Sequence, residues 1–198
     1  MKVAKALVII GHPAPSSFNH ALAARVAEVW QASGLEVAVL DLAAIGFDPC
    51  LTPAEARGAP SADKQVQAHI AALLAADYLA IVHPVMWGMP PAILKGWIDR
   101  VFALGSAYGF ATGTSEAEGA PAIGLLRLTR ALVLCTSNAE PSQGGGDPLE
   151  QIWCDGIFRF CGVVQVDYRS FAPLVPNTDA TRAGWLDEAG VLAAEALR

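Results

Sequence analysis

Apolar runs alternate with helix-periodic segments along the chain. Val3–Ile10 is close to continuous in apolar residues, the pattern of a strand covered on both faces. Phe18, Leu22, Val26 and Trp30 then recur at every fourth position and line one face of a helix that ends near Ser33-Gly34. The pattern predicts a second strand over Glu36–Leu42 and a loop rich in proline, glycine and small residues over Ala43–Ser61. A helix over Ala62–Ala76 and a third strand over Tyr78–Val82 follow. Pro90-Pro91 opens another helix, proline being suited to a first turn, and this one runs to about Leu104. Gly105–Leu128 carries five glycines and little periodicity, so it is read as a long excursion. The fourth strand is Ala131–Thr136, followed by a helix over Leu149–Phe160, a fifth strand over Val163–Phe171 and a last helix over Thr181–Leu197.

Strands that alternate with helices imply an α/β fold with a parallel sheet, because parallel neighbours need crossovers and these pack helices on both faces. Five strands fit a three-layer sandwich in the doubly wound order 2-1-3-4-5, as one domain over residues 1–198 without internal repeats. In such sheets ligands bind outside the carboxyl ends of the strands, beside strand 1. That directs attention to three loops: Gly11–Ser17, His83–Pro90 and Thr136–Pro148.

Composition narrows the function classes. With 54% hydrophobic and 16% charged residues, the chain has the makings of a large core. Its mean hydropathy of +0.40 raises the question of a membrane span. No apolar run approaches the roughly 18–20 residues that a spanning helix needs, so no membrane insertion is expected. Met1–Ile10 runs straight into Gly11-His12-Pro13 and reads as a core strand, not a signal peptide. The net charge of −6, with basic residues scattered, argues against nucleic acid as a partner. Cys50, Cys135, Cys154 and Cys161 form no close pair, and His12, His20, His69 and His83 supply no zinc-type spacing. A cytoplasmic, metal-free protein is expected.

The loops themselves are chemically distinct. Ser16, Ser17 and Asn19 converge on a helix N-terminus, where free N–H groups and the helix dipole favour an anion such as a phosphate; an ordinary N-cap is the plainer alternative. Neither GxGxxG nor a Walker lysine is present. The second loop, His83-Pro84-Val85-Met86-Trp87-Gly88-Met89-Pro90, puts large apolar groups where a strand has just ended. Core packing explains such a composition about as well as a ligand shelf does. Position at the carboxyl edge favours a rigid shelf for a flat aromatic ligand. Lys95 and Asp99, four apart on the following helix, read as a surface ion pair. Thr136, Ser137 and Asn138 offer polar groups to a ligand, while the glycine-rich second half of Thr136–Pro148 reads better as a solvated turn cluster.

His12-Pro13…Ser17-Phe18-Asn19, then Pro84-x-x-Trp87…Pro91-Ala92-Ile93-Leu94-Lys95-Gly96-Trp97-Ile98-Asp99-Arg100-Val101-Phe102 with Ala107-Tyr108, and Phe160-Cys161-Gly162-Val163 resemble the flavodoxin-2 group of NAD(P)H:quinone oxidoreductases. The resemblance spans most of the chain and implies a flavodoxin-like fold with one flavin, FMN or FAD, along the carboxyl edge of the sheet. By that resemblance Ser17, Phe18 and Asn19 would hold the phosphate and ribityl portion, with His12 nearby. Pro84, Val85, Met86, Trp87 and Gly88 would flank the isoalloxazine, and Thr136, Ser137 and Asn138 its pyrimidine edge. Tyr108 matches a tyrosine that covers bound substrate, and Phe110 falls where some members place another across a homodimer interface. Catalytic roles are accordingly expected of Tyr108 and His12.

The implied activity is ping-pong reduction: NAD(P)H reduces the flavin, and a quinone or similar flat electrophile takes two electrons in its place. The alternatives are a redox-sensing subunit of a potassium-efflux-type transporter and a nitro- or azo-group reductase. Two departures stand out. The third loop reads Thr136-Ser137-Asn138-Ala139 where several members have Thr-Thr-Gly-Gly, and residues 139–150 contain neither Tyr nor His.

Overall fold

The computed structural model describes residues 3–111, 119–139, 146–175 and 177–198. Five parallel strands form the central sheet: β1 (Lys5–Ile10), β2 (Glu36–Asp41), β3 (Tyr78–Pro84), β6 (Arg130–Thr136) and β7 (Val166–Phe171). Their order is β2-β1-β3-β6-β7, which is the doubly wound 2-1-3-4-5 once the small hairpin β4 (Tyr108–Gly109) and β5 (Ile123–Gly124) is set aside. That hairpin lies within the glycine-rich excursion, of which residues 112–118 are outside the described residues.

Alternation along each central strand explains the continuous apolar runs. Leu7 and Ile9 join Leu79, Ile81 and Val133 under α2 (Lys64–Ala75) and α3 (Ala92–Val101). Ala6, Val8 and Ile10 join Ala80, Val82 and Leu132 under α1 (Phe18–Ala32) and α5 (Asp179–Glu195). Both faces are dry, so neither parity of the strand can be polar. The predicted stripe Leu22, Val26 and Trp30 is buried in the second of these layers, and the Trp30 indole donates to the Ala193 carbonyl of α5 at 2.9 Å.

Two elements differ from expectation. The helix expected over Leu149–Phe160 begins as α4 (Pro148–Gln151) and then widens into a π-helical stretch, Ile152–Arg159. In an α-helix residues five apart point in different directions; the wider turn brings Trp153 and Phe158 to one face, both fully buried and stacked at 5.9 Å. The fifth strand starts at Val166 and not Val163. Residues 161–163 are instead tied elsewhere: Cys161 O accepts from Leu126 N at 3.0 Å, and Val163 N donates back to Phe158 O at 2.9 Å. A Cβ on Gly124 would lie 2.1 Å from Gly162 N, so these two backbones can touch only as glycines.

The long loop after β2 is held by a buried ion cluster, with a 3-10 turn over Glu55–Arg57. Arg100 of α3, 3% exposed at its side chain, meets both oxygens of Glu55 at 3.0 and 3.2 Å, Asp63 at 3.3 Å and the Asp48 carbonyl at 2.7 Å. Burial works against the Glu55 charge, yet the bonds from Arg100 and Ser61 hold its pKa down to about 2. Lys95 and Asp99 form the expected surface pair at 2.5 Å.

Candidate functional site

The carboxyl ends of β1, β3 and β6 stand side by side, paired through Ile10↔Val82 and Pro84↔Thr136. The three loops that leave them are fastened to one another. Gly11 N donates to Val82 O at 2.9 Å, Val85 N to Thr136 O at 2.7 Å, and Asn19 Nδ2 to Thr136 Oγ1 at 3.0 Å. A Cβ on Gly11 would lie 2.8 Å from Leu94 Cβ, so glycine also lets the first loop approach α3.

In the second loop Met86 and Met89 exchange backbone bonds at 2.8 and 3.0 Å around Trp87-Gly88. Both central residues have positive φ, +55° and +74°, as a tight two-residue hairpin turn requires. For a residue as bulky as tryptophan that conformation is strained. The Trp87 side chain nevertheless projects wholly into solvent, at 102% exposure.

Behind the shelf sits a rigid support. His83, fully buried, accepts from the Trp153 indole N–H at Nε2 (3.1 Å), which leaves Nδ1–H to donate to the Pro84 carbonyl (2.9 Å). Burial pushes its pKa down to about 4, against the Pro84 bond that pulls the other way. The ring is therefore neutral at physiological pH and fixes the exit of β3.

The third loop runs through Ser137, whose N–H donates to Phe171 O at 3.1 Å and whose carbonyl accepts from Leu174 N at 2.7 Å. Residues 140–145, the glycine-rich part of the predicted turn cluster, lie outside the described residues. Asp147 resumes the wall; it accepts from Leu149 N at 2.9 Å and from the Tyr168 hydroxyl at 2.7 Å. Burial, together with the neighbouring Cys135 and Asp147, pushes the Tyr168 phenol well up, so it stays a donor.

Between the second and third loops opens a cavity of about 500 Å³. Val85, Trp87 and Gly88 line one side, and Ser137, Asn138 and Asp147 the other. Pro84, Met86 and Thr136 belong to the same loops without lining it. Ser17, Phe18 and Asn19 open α1, where Asn19 is buried and Phe18 packs on Trp185 at 6.0 Å. Three predicted residues, His12, Tyr108 and Phe110, line other cavities. His12 lines a small cavity of about 170 Å³ with Asp41. Tyr108 and Phe110 line a third of about 250 Å³ with Arg57 and Arg100, and the Tyr108 ring meets Phe160 at 5.2 Å.

Sequence reasoning did not single out His83, Trp153, His20, Asp41, Asp147 or Tyr168 as working residues. One signal was present: Ser17-Phe18-Asn19-His20 has the spacing of a capping box with histidine in place of the usual Glu or Gln. Among the described residues no group of three or more His, Cys, Asp or Glu side chains is arranged to hold a metal ion. Nor is any helix there long and apolar enough to cross a membrane.

Comparison with known proteins agrees with this geometry. The Flavodoxin_2 family model, described as a flavodoxin-like fold, matches residues 4–190. A protein of Haemophilus influenzae described as an uncharacterized NAD(P)H oxidoreductase is 30% identical over 188 residues, 91% of this chain and 90% of its own. NAD(P)H dehydrogenase [quinone] 1 of Rattus norvegicus is also 30% identical, over 82% of this chain and 66% of its own. Among solved structures, the NAD(P)H:quinone oxidoreductase from Methanothermobacter marburgensis superposes with a TM-score of 0.81, covering 97% of this chain and 98% of its own. At 22% identity that likeness speaks for the fold alone.

Proposed function

The chain belongs to the Flavodoxin_2 family, and from that premise and the cavity at the carboxyl edge we propose that it is a flavin-dependent NAD(P)H oxidoreductase acting on quinones or similar flat acceptors. The carrying observation is the bare Trp87 indole on its strained turn, at a cavity that Ser137 and Asn138 also line. The relatives named for NAD(P)H oxidation and quinone reduction support the same reading.

The residues present fit a flavin. About 500 Å³ lies within the range of small-molecule sites. The wall combines an exposed aromatic face with backbone and hydroxyl groups at its polar edge. Asn19 Oδ1 is buried without a hydrogen-bond partner, an acceptor that a hydroxyl of the ribityl portion could satisfy. When bound, the flavin supplies the hydride chemistry; the chain orients it and shields it from water. His83 and Trp153 fix the β3 exit, Asn19 and Thr136 tie the first loop to the third, and Trp87 offers the stacking face. By the family resemblance Tyr108 would cover the bound acceptor and Phe110 would reach it across a homodimer interface; within one chain the two residues line a cavity apart from the shelf.

Purified protein tests the proposal directly. It should be yellow or bind FMN or FAD on addition, be bleached by NADH or NADPH, and recover colour with a quinone. Chromatography of the extracted flavin decides between FMN and FAD. A preparation that binds neither overturns the reading.

A further inference from the structure

At the N-terminus of α1 a chain of hydrogen bonds links the first loop to the end of β2. Asp41 Oδ1 accepts from the amides of Ala43 and Ala44, both at 3.2 Å, and Oδ2 lies 3.0 Å from His20 Nε2. Burial raises the Asp41 pKa, but the bonds from His20, Ala44 and Ala43 prevail and hold it below its ordinary value. A carboxylate only accepts, so Nε2 carries a hydrogen. In the neutral ring Nδ1 is then the bare nitrogen, and it meets Ser17 Oγ at 2.7 Å and Ser17 N at 3.3 Å. Both donors of Ser17 are thus spent on His20.

That arrangement conflicts with the phosphate-holding role that the family resemblance implies for Ser17. A phosphate oxygen needs donors, and a hydroxyl whose hydrogen is given to His20 offers it only lone pairs. One proton resolves the conflict. With Nδ1 protonated, the ring donates to Ser17 Oγ, the hydroxyl hydrogen turns outward, and the Ser17 amide is released. The resulting imidazolium keeps Asp41 as its counter-ion at 3.0 Å. His12 also meets the ring, edge-on at 6.1 Å, and its Nδ1 is engaged with the backbone of Ala14. Asn19 Oδ1, buried and unpartnered two residues beyond Ser17, marks the same corner as incompletely satisfied.

We propose that His20, backed by Asp41, is the positioning residue that selects a phosphorylated flavin: binding of the flavin phosphate at Ser17 takes up one proton onto His20 Nδ1. The inference rests on the flavin reading above. It balances simply, since the proton comes from solvent, the Ser17 hydroxyl re-aims without losing its hydrogen, and no bond between heavy atoms changes. Riboflavin, which has no phosphate, would leave the Ser17–His20 bond as it stands.

The test is calorimetric titration of the full-length chain, stripped of flavin, at pH 7.0–8.5, where a phosphate monoester is already almost fully ionised. Each flavin is titrated in two buffers of different ionisation enthalpy. FMN, and FAD if the chain takes it, should show uptake approaching one proton, with FMN affinity falling by up to ten-fold per pH unit. Riboflavin should show neither effect. H20Q should abolish the uptake, and D41N should diminish it. A readout on the unmodified chain guards against variants that fail to fold. In 15N-histidine spectra, His20 Nδ1 should pass from a bare to a protonated nitrogen on adding FMN. Uptake that is equal for FMN and riboflavin, uptake that survives in H20Q, or an unprotonated Nδ1 in the FMN complex would each overturn the proposal. Binding without proton uptake sinks this inference alone, whereas failure of all three flavins to bind sinks the functional reading and this with it.

Discussion

His83 makes the chain sensitive to acid, and the effect can be worked out from its surroundings. The ring is fully buried, with its two nitrogens committed to Trp153 and Pro84. Its pKa stands at about 4 in the folded chain against an ordinary 6.5. Above pH 6.5 neither the folded nor the unfolded chain charges this ring, and the stability is whole. As pH falls the unfolded chain takes up the proton first, so stability declines from about 6.5 until the folded ring also protonates near 4. The linkage gives a loss of about 2 kcal/mol between pH 7 and 5, growing to about 3 kcal/mol at pH 4. Urea unfolding of the flavin-free chain at a series of pH values, with H83Q in parallel, measures it. The variant should be less stable at pH 7 by roughly 1–3 kcal/mol, because the Pro84 carbonyl loses its donor. Its stability should also decline less between pH 7 and 5, by about 2 kcal/mol. Identical pH slopes for the two chains, or a His83 resonance titrating near 6.5, would refute the argument.

Three further perturbations probe other parts of the frame. R100M should cost roughly 3–5 kcal/mol in urea unfolding, because it strands the Glu55 carboxylate, whose side chain is 7% exposed, and the Asp48 carbonyl. The pKa of Glu55 is lowered from 4.5 to about 2, so the stabilisation that this carboxylate contributes is present above pH 4.5 and lost as pH falls towards 2. That acid limb should shrink in the variant. G96A places a Cβ 2.2 Å from the Pro49 carbonyl oxygen and 2.6 Å from its Cα, both backbone atoms, and overpacking of this kind should lower stability by roughly 1–3 kcal/mol. W87A removes a side chain that touches solvent alone, so unfolding of the flavin-free chain should shift by no more than about 0.5 kcal/mol. Flavin affinity, read by fluorescence quenching, should weaken by about ten-fold through the lost stacking face.

Strand order and the position of the cavity were legible in the sequence because they depend on local rules. A strand buried on both faces has no polar phase, as Ala6–Ile10 shows, and alternating strands and helices leave few topologies open. What escaped was of another kind. The Trp153–Phe158 face needs a turn wider than the α-helix, which a period of 3.6 residues cannot announce. The start of β7 at Val166 depends on Cys161 being claimed by Leu126, a partner on the far side of a long excursion. Tyr108, which the resemblance sets over bound substrate, lies with Arg57 and Phe110 in a cavity apart from the shelf, a placement that local periodicity does not announce.

The same distinction holds within the site. Ser17, Trp87 and Ser137 could be named from their loops, since each is typical of what a strand's carboxyl end must offer a ligand. The residues that govern them come from remote segments. Trp153 reaches His83 across 70 positions, and Asn19 reaches Thr136 across 117. Asp41 reaches His20 from the next strand. Each of these contacts decides a hydrogen position: which nitrogen of His83 faces Pro84, which nitrogen of His20 is bare, and therefore whether the Ser17 hydroxyl gives or receives. The loops set which groups line the cavity; these long-range bonds set what those groups can donate, and a phosphate is sensitive to the second.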